Sequence, residues 1–359
     1  MSDAFDAQIV IAVHNTDRPV KRAASSVLRS PGVGVIVVAH GIDSASLDLP
    51  EDSRIRVIEC QEGKGHPGIP FNRGVQSATA RFVGIMGSDD EYEPNAVSAM
   101  VRRLTDDEAD GVIAPLIRDD SSGIRSKAPF THRNKNLQAA RDRLFYRTAP
   151  LGLFRTEVFS NGRYLMREDL HNGIDLIPSV RLWTDGLSIS YYPTDPAYIV
   201  HSDAKDRVTE VRKSFAEKHW ALTQFLDGGY AEHLPNEDKA SLAVKLLRIH
   251  IFGFLRRTGK RSIGVEDWSE LADTTRKILA LSPHAMSPFT RSEKTMAQAI
   301  LEEDGEKAFA ACIKDQTEKG FWRRLPASPI HFWTIDGTPR RYVTQALCVL
   351  QDRTVTVER

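Results

Sequence analysis

Apolar and polar positions alternate in short blocks over roughly the first two hundred residues, and the block lengths suit strands and helices in turn. Gln8 to Val13 is a strand-like run that stops at His14-Asn15-Thr16-Asp17-Arg18, after which Pro19 opens a helix over Val20 to Leu28. Val33 to Ala39 is a continuous, mostly β-branched run ending in His40-Gly41-Ile42-Asp43, and Arg54 to Glu59 reads as another strand. Phe82-Val-Gly-Ile-Met-Gly87 is an apolar run that reads as a buried strand and stops at Ser88-Asp89-Asp90, with a helix expected from about Pro94. Ala197 to Val200 reads as a later strand. This alternation predicts an α/β fold, a mostly parallel, doubly wound sheet flanked by helices with loops at one edge forming a site.

After about Asp206 the periodicity becomes helical. Val208 to Asp227, Glu237 to Arg257 with Asn236 as its cap, Ser269 to Leu281, Ser292 to Glu303 and Gly305 to Thr317 all show apolar residues at helical spacing. The expected organisation is therefore a first domain over 1–206 and a mainly helical region over 207–359. Leu246 to Arg257, running into Lys260-Arg261, reads as a buried helix with a basic end rather than an interfacial one. Trp322 and Trp333, in the segment Phe321 to Arg341, are expected to cover a core rather than to stack on sugar rings.

Charge adds little direction, because 48 Lys and Arg balance 48 Asp and Glu. A bulk attraction to nucleic acid or to a membrane is therefore not expected. Locally, Arg118, Arg125, Lys127, Arg133, Lys135, Arg141, Arg143 and Arg147 fall in a stretch without apolar periodicity, which reads as a long loop at the edge of the site. Cys60, Cys312 and Cys348 are scattered and show neither metal spacing nor a disulfide framework. With no signal-like N-terminus and no apolar run near the roughly 20 residues that span a bilayer, a cytoplasmic protein is expected.

The chemistry concentrates at Asp89 and Asp90. Ligands of open α/β sheets bind outside the carboxyl ends of the strands, and adjacent carboxylates there suit a hard divalent cation beside a phosphate. The competing reading is a solvated turn whose Asp residues cap the following helix.

Taken in order, the motifs resemble those of the inverting family 2 glycosyltransferases. Val13-His14-Asn15 stands where that family has a strand-ending Val-Tyr-Asn, and Val37-Val38-Ala39-His40-Gly41 where it has Val-Val-Asp-Asp-Gly-Ser. Phe71-Asn72-Arg73-Gly74 resembles its Ala-Arg-Asn-x-Gly helix, and Gly87-Ser88-Asp89-Asp90 its Asp-x-Asp-Asp motif. Leu151 to Arg155 with Val158-Phe159, and Gly173-Ile174-Asp175-Leu176 with Arg181-Leu182, resemble its acceptor-side segments. Two acids usual in the family are missing, at Ala39-His40 and at Gly87.

The resemblance implies a GT-A-like fold and a metal-dependent, inverting transfer of a sugar from a nucleoside diphosphate to a hydroxyl, in polysaccharide or glycoconjugate synthesis. UDP-sugars lead as donors, with Mn2+ or Mg2+ as cofactor and a glycan or lipid-linked acceptor as partner. No nucleic acid is implied; a lipid-linked acceptor implies peripheral contact with the cytosolic face of a membrane. Val13, Asn15, His40, Asp43, Asn72, Arg73, Ser88, Asp90 and Arg207 are the implied donor-binding residues, and Asp89 and His201 the implied metal ligands. The general base is assigned to Asp175, which lies between Gly173 and an apolar run, with Asp169 after Glu168 as the second choice. The missing acids keep open a degenerate domain that binds a glycan or partner without turnover. A nucleotidyltransferase is disfavoured by the lack of a Gly-rich phosphate loop.

Overall fold

A computed structural model describes residues 5–119, 126, 128, 129, 131–203, 214–258, 263–340, 342–344, 346 and 347. The chain divides into two units, one of Met1–Ala128, Arg133–Gln138 and Arg147–Glu210, the other of Pro129–His132, Ala139–Tyr146 and Val211–Arg359.

The first unit runs β1 (Ala7–Val13), α1 (Val20–Leu28), β2 (Val33–His40), β3 (Ile55–Cys60), α2 (Gly68–Gln76), β4 (Phe82–Gly87), β5 (Glu91–Tyr92), α3 (Ala96–Asp106), β6 (Gly111–Ile113), β7 (Leu116–Arg118), β8 (Gly152–Arg155), α4 (Leu176–Thr184), β9 (Ile189–Tyr191) and β10 (Tyr198–Val200). Its main sheet has the order β3-β2-β1-β4-β8-β6-β9. All neighbours are parallel except β8, which inserts between β4 and β6 and runs against both. A small second sheet, β5-β10-β7, carries the end of the first unit back beside the loop after β4.

The continuous apolar runs follow from burial on both faces of the main sheet. Ile9, Ile11, Val13, Val35 and Val37 pack with Val20, Ala23, Ala24 and Val27 of α1 and with Val97, Met100 and Leu104 of α3. The alternate residues Val10, Ile36 and Val38 pack with Val75 of α2. Full burial of each such side chain contributes about 1.5–3 kcal/mol. The one polar residue in β1, Gln8, is accommodated because its amide oxygen accepts from the N–H groups of Thr79 (2.7 Å) and Ala80 (3.0 Å), in the turn before β4. Gly74 lets α2 lie against β1, since a Cβ there would come within 2.2 Å of Val10 Cγ1.

The second unit is helical: α5 (Phe215–Asp227), α6 (Asn236–Leu246), a π-turn over Leu247–Ile251, α7 (Phe252–Arg257), α8 (Val265–Leu281), α9 (Arg291–Leu301) and α10 (Gly305–Thr317). Ser214 begins α5 with a reciprocal cap to Glu217; the expected earlier start at Val208 lies outside the described residues. Leu246 to Arg257 is indeed mostly buried. Within it, the π-turn carries Arg248, whose guanidinium makes a two-point contact with Glu293 (2.8 and 3.1 Å) and also donates to the carbonyls of Asp336 and Pro288. Glu293 is also the third residue of α9 and accepts from Thr290 N at 2.9 Å. Burial opposes its charge, but the Arg248 guanidinium overrides that and holds the carboxyl below its ordinary range.

The reading of Arg118 to Arg147 as one loop at the site edge is corrected. Ala139–Tyr146 is part of the helical unit: Ala140 N–H donates to Asp238 at 3.0 Å, and Arg143 lies 3.4 Å from Asp336. Arg141 pairs with Asp142 at 2.8 Å. Arg147 is buried in the first unit, donating to the carbonyls of Ala114 and Leu151, and burial pushes its pKa down to about 10. Arg141 and Arg143 thus face carboxylates and Arg147 faces backbone carbonyls within the protein. Arg125 and Lys127 lie outside the described residues.

Removing one member of a buried ion pair leaves the other charge uncompensated. Glu293→Gln is expected to lower urea stability by about 3–5 kcal/mol, whereas the double variant Arg248→Met/Glu293→Leu recovers most of that loss. Equal losses for the single and double variants would show that the pair's charge is unimportant.

Candidate active site

Strand β1 has β2 on one side and β4 on the other, so the winding direction reverses between β1 and β4. At such a reversal the connections leave in opposite directions and a crevice opens outside the carboxyl ends. The register sets Ala12 beside Gly87, so Val13-His14-Asn15 and Ser88-Asp89-Asp90 emerge together at that crevice.

The carboxylates are held by the neighbouring elements. Tyr198 of β10 donates its hydroxyl to Asp90 Oδ2 (2.6 Å) and accepts from Gly87 N–H (2.9 Å). Asp90 Oδ1 accepts from His201 N–H at 3.1 Å. Burial, reinforced by the adjacent Asp90 charge, raises the Tyr198 pKa far above its ordinary value, so the phenol stays protonated and keeps donating. This arrangement explains the missing acid at position 87. A Cβ there would lie 2.6 Å from Asp90 Oδ2, so no side chain fits while Tyr198 holds Asp90.

Asp89 Oδ2 lies 2.8 Å from Arg18 Nη1, both side chains being about nine-tenths buried (9% and 13% exposed). Arg22, on α1, donates to the Asp89 carbonyl and pairs with Asp203 at 2.7 Å. Neither arginine was singled out from the sequence. The available signal was their place in the segment leaving β1 beside the acids that end β4, Arg18 just before α1 and Arg22 in its first turn. Tyr198 left no such signal, because its partner lies 108 residues away.

The other sequence candidates take varied positions. Ser88 is buried between Gly87 and Asp89, and Val13 is fully buried at the end of β1. The side chain of Asn15 accepts from Asp17 N–H at 3.0 Å and shapes the turn after β1. His40 is buried with Nε2 2.9 Å from the Glu62 carbonyl, and Arg73 reaches the Glu62 carboxylate at 2.8 Å, so both hold the loop after β3. Asp43 accepts from Ala45 N–H and starts a short 3-10 turn. The His201 ring nitrogens lie 2.7 Å from Asp119 and 3.2 Å from Glu91, so the ring faces carboxylates. Arg207 lies outside the described residues.

Asn72, on α2, is turned inward. Its amide is buried and used internally: Nδ2 donates to Met166 O (2.8 Å) and Glu168 Oε1 (2.9 Å), and Oδ1 accepts from Met166 N (2.8 Å). It thereby brackets α2 to a loop closed by Arg167 N–H on Ile174 O at 3.0 Å.

Both candidate bases belong to this loop. Asp175 occupies the position before α4 without a side-chain capping hydrogen bond. Asp169 is gripped by Arg167 at 2.7 and 2.5 Å, and this guanidinium, with a smaller contribution from nearby His66, holds its carboxyl below the ordinary range. His66 and His171 bring the loops after β3 and before α4 together, their ring centroids 4.1 Å apart and His171 Nδ1 2.9 Å from Gly65 O.

The polar groups set a limit on metal binding. Among the described residues no group of three or more His, Cys, Asp or Glu side chains is placed to hold a metal ion. Asp89 has one oxygen engaged by Arg18, and both oxygens of Asp90 accept hydrogen bonds. Such a site suits a cation shared with a substrate phosphate, because Mg2+-type sites often take one or two carboxylates and complete their shell with phosphate and water.

Residues 8–162 match the model of glycosyl transferase family 2. The succinoglycan biosynthesis protein ExoO of Rhizobium meliloti (strain 1021) is 31% identical over 105 residues, 27% of this chain and 29% of that protein. The putative glycosyltransferase EpsH of Bacillus subtilis (strain 168) is 32% identical over 112 residues, 29% of this chain and 32% of that protein. The chain thus aligns with about a third of the length of these relatives. The crystal structure of S. aureus TarS 1-349 in complex with UDP-GlcNAc superimposes with a TM-score of 0.69 at 14% identity, covering 87% of this chain and 92% of that one. That similarity shows the same fold, GT-A-like with a helical C-terminal region.

Tyr198→Phe removes the hydroxyl shared by Gly87 N–H and Asp90 and should cost about 1–3 kcal/mol in urea unfolding. An unchanged stability would mean that water replaces the hydroxyl and that Asp90 is not held by it.

Proposed function

We propose that this chain, whose residues 8–162 match the model of glycosyl transferase family 2, transfers a sugar from a nucleoside diphosphate to a hydroxyl acceptor with inversion, in the synthesis of a polysaccharide. The observation that carries the reading is the carboxylate pair Asp89–Asp90 at the crevice where the sheet reverses, with Asp90 held by Tyr198 and His201 and Asp89 paired with Arg18. That crevice is where an open α/β sheet takes a nucleotide. A UDP-sugar is the first donor to test, because the similarly folded TarS structure contains UDP-GlcNAc. Val13, Asn15 and Ser88 line the strand ends beside the carboxylates, while His40 ends β2, Asp43 lies in the loop after it and Arg73 lies on α2.

Asp89 would hold Mn2+ or Mg2+ together with the diphosphate, and the cation would supply charge neutralisation for the leaving nucleoside diphosphate. For that, Arg18 has to share or release the Asp89 oxygen it contacts. Released from Asp89, its guanidinium has the charge and geometry to grip a phosphate. Transfer forms a bond from the acceptor oxygen to the anomeric carbon and breaks the bond from that carbon to the diphosphate, and the hydroxyl proton passes to a carboxylate base. We assign that base to Asp169, which lies beside His66 of the loop after β3. Asp175, favoured by the sequence pattern, is the alternative on the same loop.

The Arg18–Asp89 ion pair also favours a second reading, in which the charge expected to hold the cation is permanently neutralised and the domain binds a glycan without turnover.

Thermal unfolding with UDP decides between them, with and without Mn2+. A nucleotide at about a hundred times its Kd raises stability by about 2.7 kcal/mol, and that gain should require Mn2+ and disappear in Asp89→Ala. Absence of any nucleotide effect alongside saturable glycan binding would establish the second reading. For the base, Asp169→Asn should lower kcat at least about a hundredfold and leave the nucleotide effect intact. A larger loss in Asp175→Asn would move the assignment there.

The pH dependence follows from the lowered pKa of Asp169. The base is ionised, and activity present, above its folded-state pKa; activity is lost as pH falls through that depressed value. Arg167→Met removes the principal cause of the depression, so the acid limb of kcat/KM should move to higher pH. An unmoved limb would assign it to another group.

A further inference from the structure

The helical unit carries an apolar surface that the proposed transfer does not use. Trp322 and Trp333 were expected to be buried, but they are 81% and 66% exposed, and Ile330 and Phe321 are 82% and 54% exposed. Four large apolar side chains within thirteen residues are thus turned to solvent at a cost that burial elsewhere in the chain avoids. Phe321 contacts Trp322 and Tyr342, their ring centroids 6.0 and 6.1 Å away, and Trp322, Pro329 and Phe332 line one open cleft of about 660 Å³.

Charge around this surface is mainly basic. The segment Lys319 to Leu347 contains Lys319, Arg323, Arg324, Arg340 and Arg341 against a single acid, Asp336, in a chain that is neutral as a whole. Asp336 is buried, whereas Lys319 and Arg324 are exposed and Arg323 and Arg340 half-buried; Arg341 lies outside the described residues. Arg291, Lys307 and Lys314 extend the basic rim across the cleft, against one lining acid, Glu318.

We propose that this surface docks on an anionic lipid bilayer, with Phe321, Trp322, Ile330 and Trp333 entering the headgroup region and the surrounding Lys and Arg facing acidic headgroups. Amphipathic Trp side chains favour the membrane interface, and each Lys or Arg near an acidic leaflet adds attraction. A glycan offers Trp a stacking face but gives no reason to expose Ile330 and Phe321 beside it. Among the described residues no helix is long and apolar enough to cross a membrane, so the contact is a surface one.

The test is co-sedimentation of the full chain with vesicles of 1:1 phosphatidylglycerol and phosphatidylcholine and with vesicles of phosphatidylcholine alone, together with analytical ultracentrifugation of the free protein. Binding is expected to the acidic vesicles, at least tenfold weaker on the neutral ones, and weakened again by 0.5 M salt. The double variant Trp322→Ser/Ile330→Ser should lose at least tenfold in acidic-vesicle binding with its unfolding temperature unchanged. Equal binding by the variant would overturn the proposal, as would no binding to either vesicle. A concentration-dependent dimer that the same variant disperses would assign the surface to a second copy of the chain instead. A stable variant monomer that still binds UDP as the parent does separates this outcome from any failure of the transferase reading.

Discussion

Burial of the parallel sheet on both faces is the constraint on which the first unit depends. Once α1 and α3 cover one face and α2 the other, the strands have no surface left for chemistry except their ends. Backbone groups at the ends of β1 and β4 must still find partners. The second, small sheet meets part of this demand. β10 lies antiparallel to β5 and sends the Tyr198 hydroxyl to Gly87 N–H, so a structural need of the β4 terminus also fixes Asp90.

Much of this architecture is legible in the sequence because it rests on local patterns. β1, β2, β3, β4 and α1 stand where the apolar runs and Pro19 place them, and the helical run from Asn236 onward follows the apolar spacing. What escaped the sequence is of long range. The fate of Ala139–Tyr146 depends on partners such as Asp238, and nothing in its local composition separates it from a surface loop. Trp322 and Trp333 failed in the opposite way. Their size argues for burial on average, but exposure is decided by whether any neighbouring element covers them.

The candidate site shows the same division. Asp89 and Asp90 announce themselves as acids ending an apolar strand, but the groups controlling them, Arg18, Tyr198 and the His201 backbone, come from separate parts of the chain. The two acids are not equivalent. Asp90 is held by neutral donors from β10 and the residue after it, whereas Asp89 meets a mobile type of partner, a long cationic side chain. Gly87 is the local trace of this arrangement, since the space that its side chain would need is taken by Asp90.

The Asn72 bracket has a consequence for how the first unit can be rebuilt. Three hydrogen bonds from one side chain join α2 to Met166 and Glu168, across 94 and 96 residues of chain. The segment before α4 is thus keyed to a helix whose other neighbours include β1, β2 and β4, and it is not an interchangeable module. A chimera that imports this segment from a relative to change the acceptor has to import a matching position 72. Otherwise the graft arrives with a buried peptide group facing no partner, and the loop carrying Asp169 and Asp175 loses its reference point.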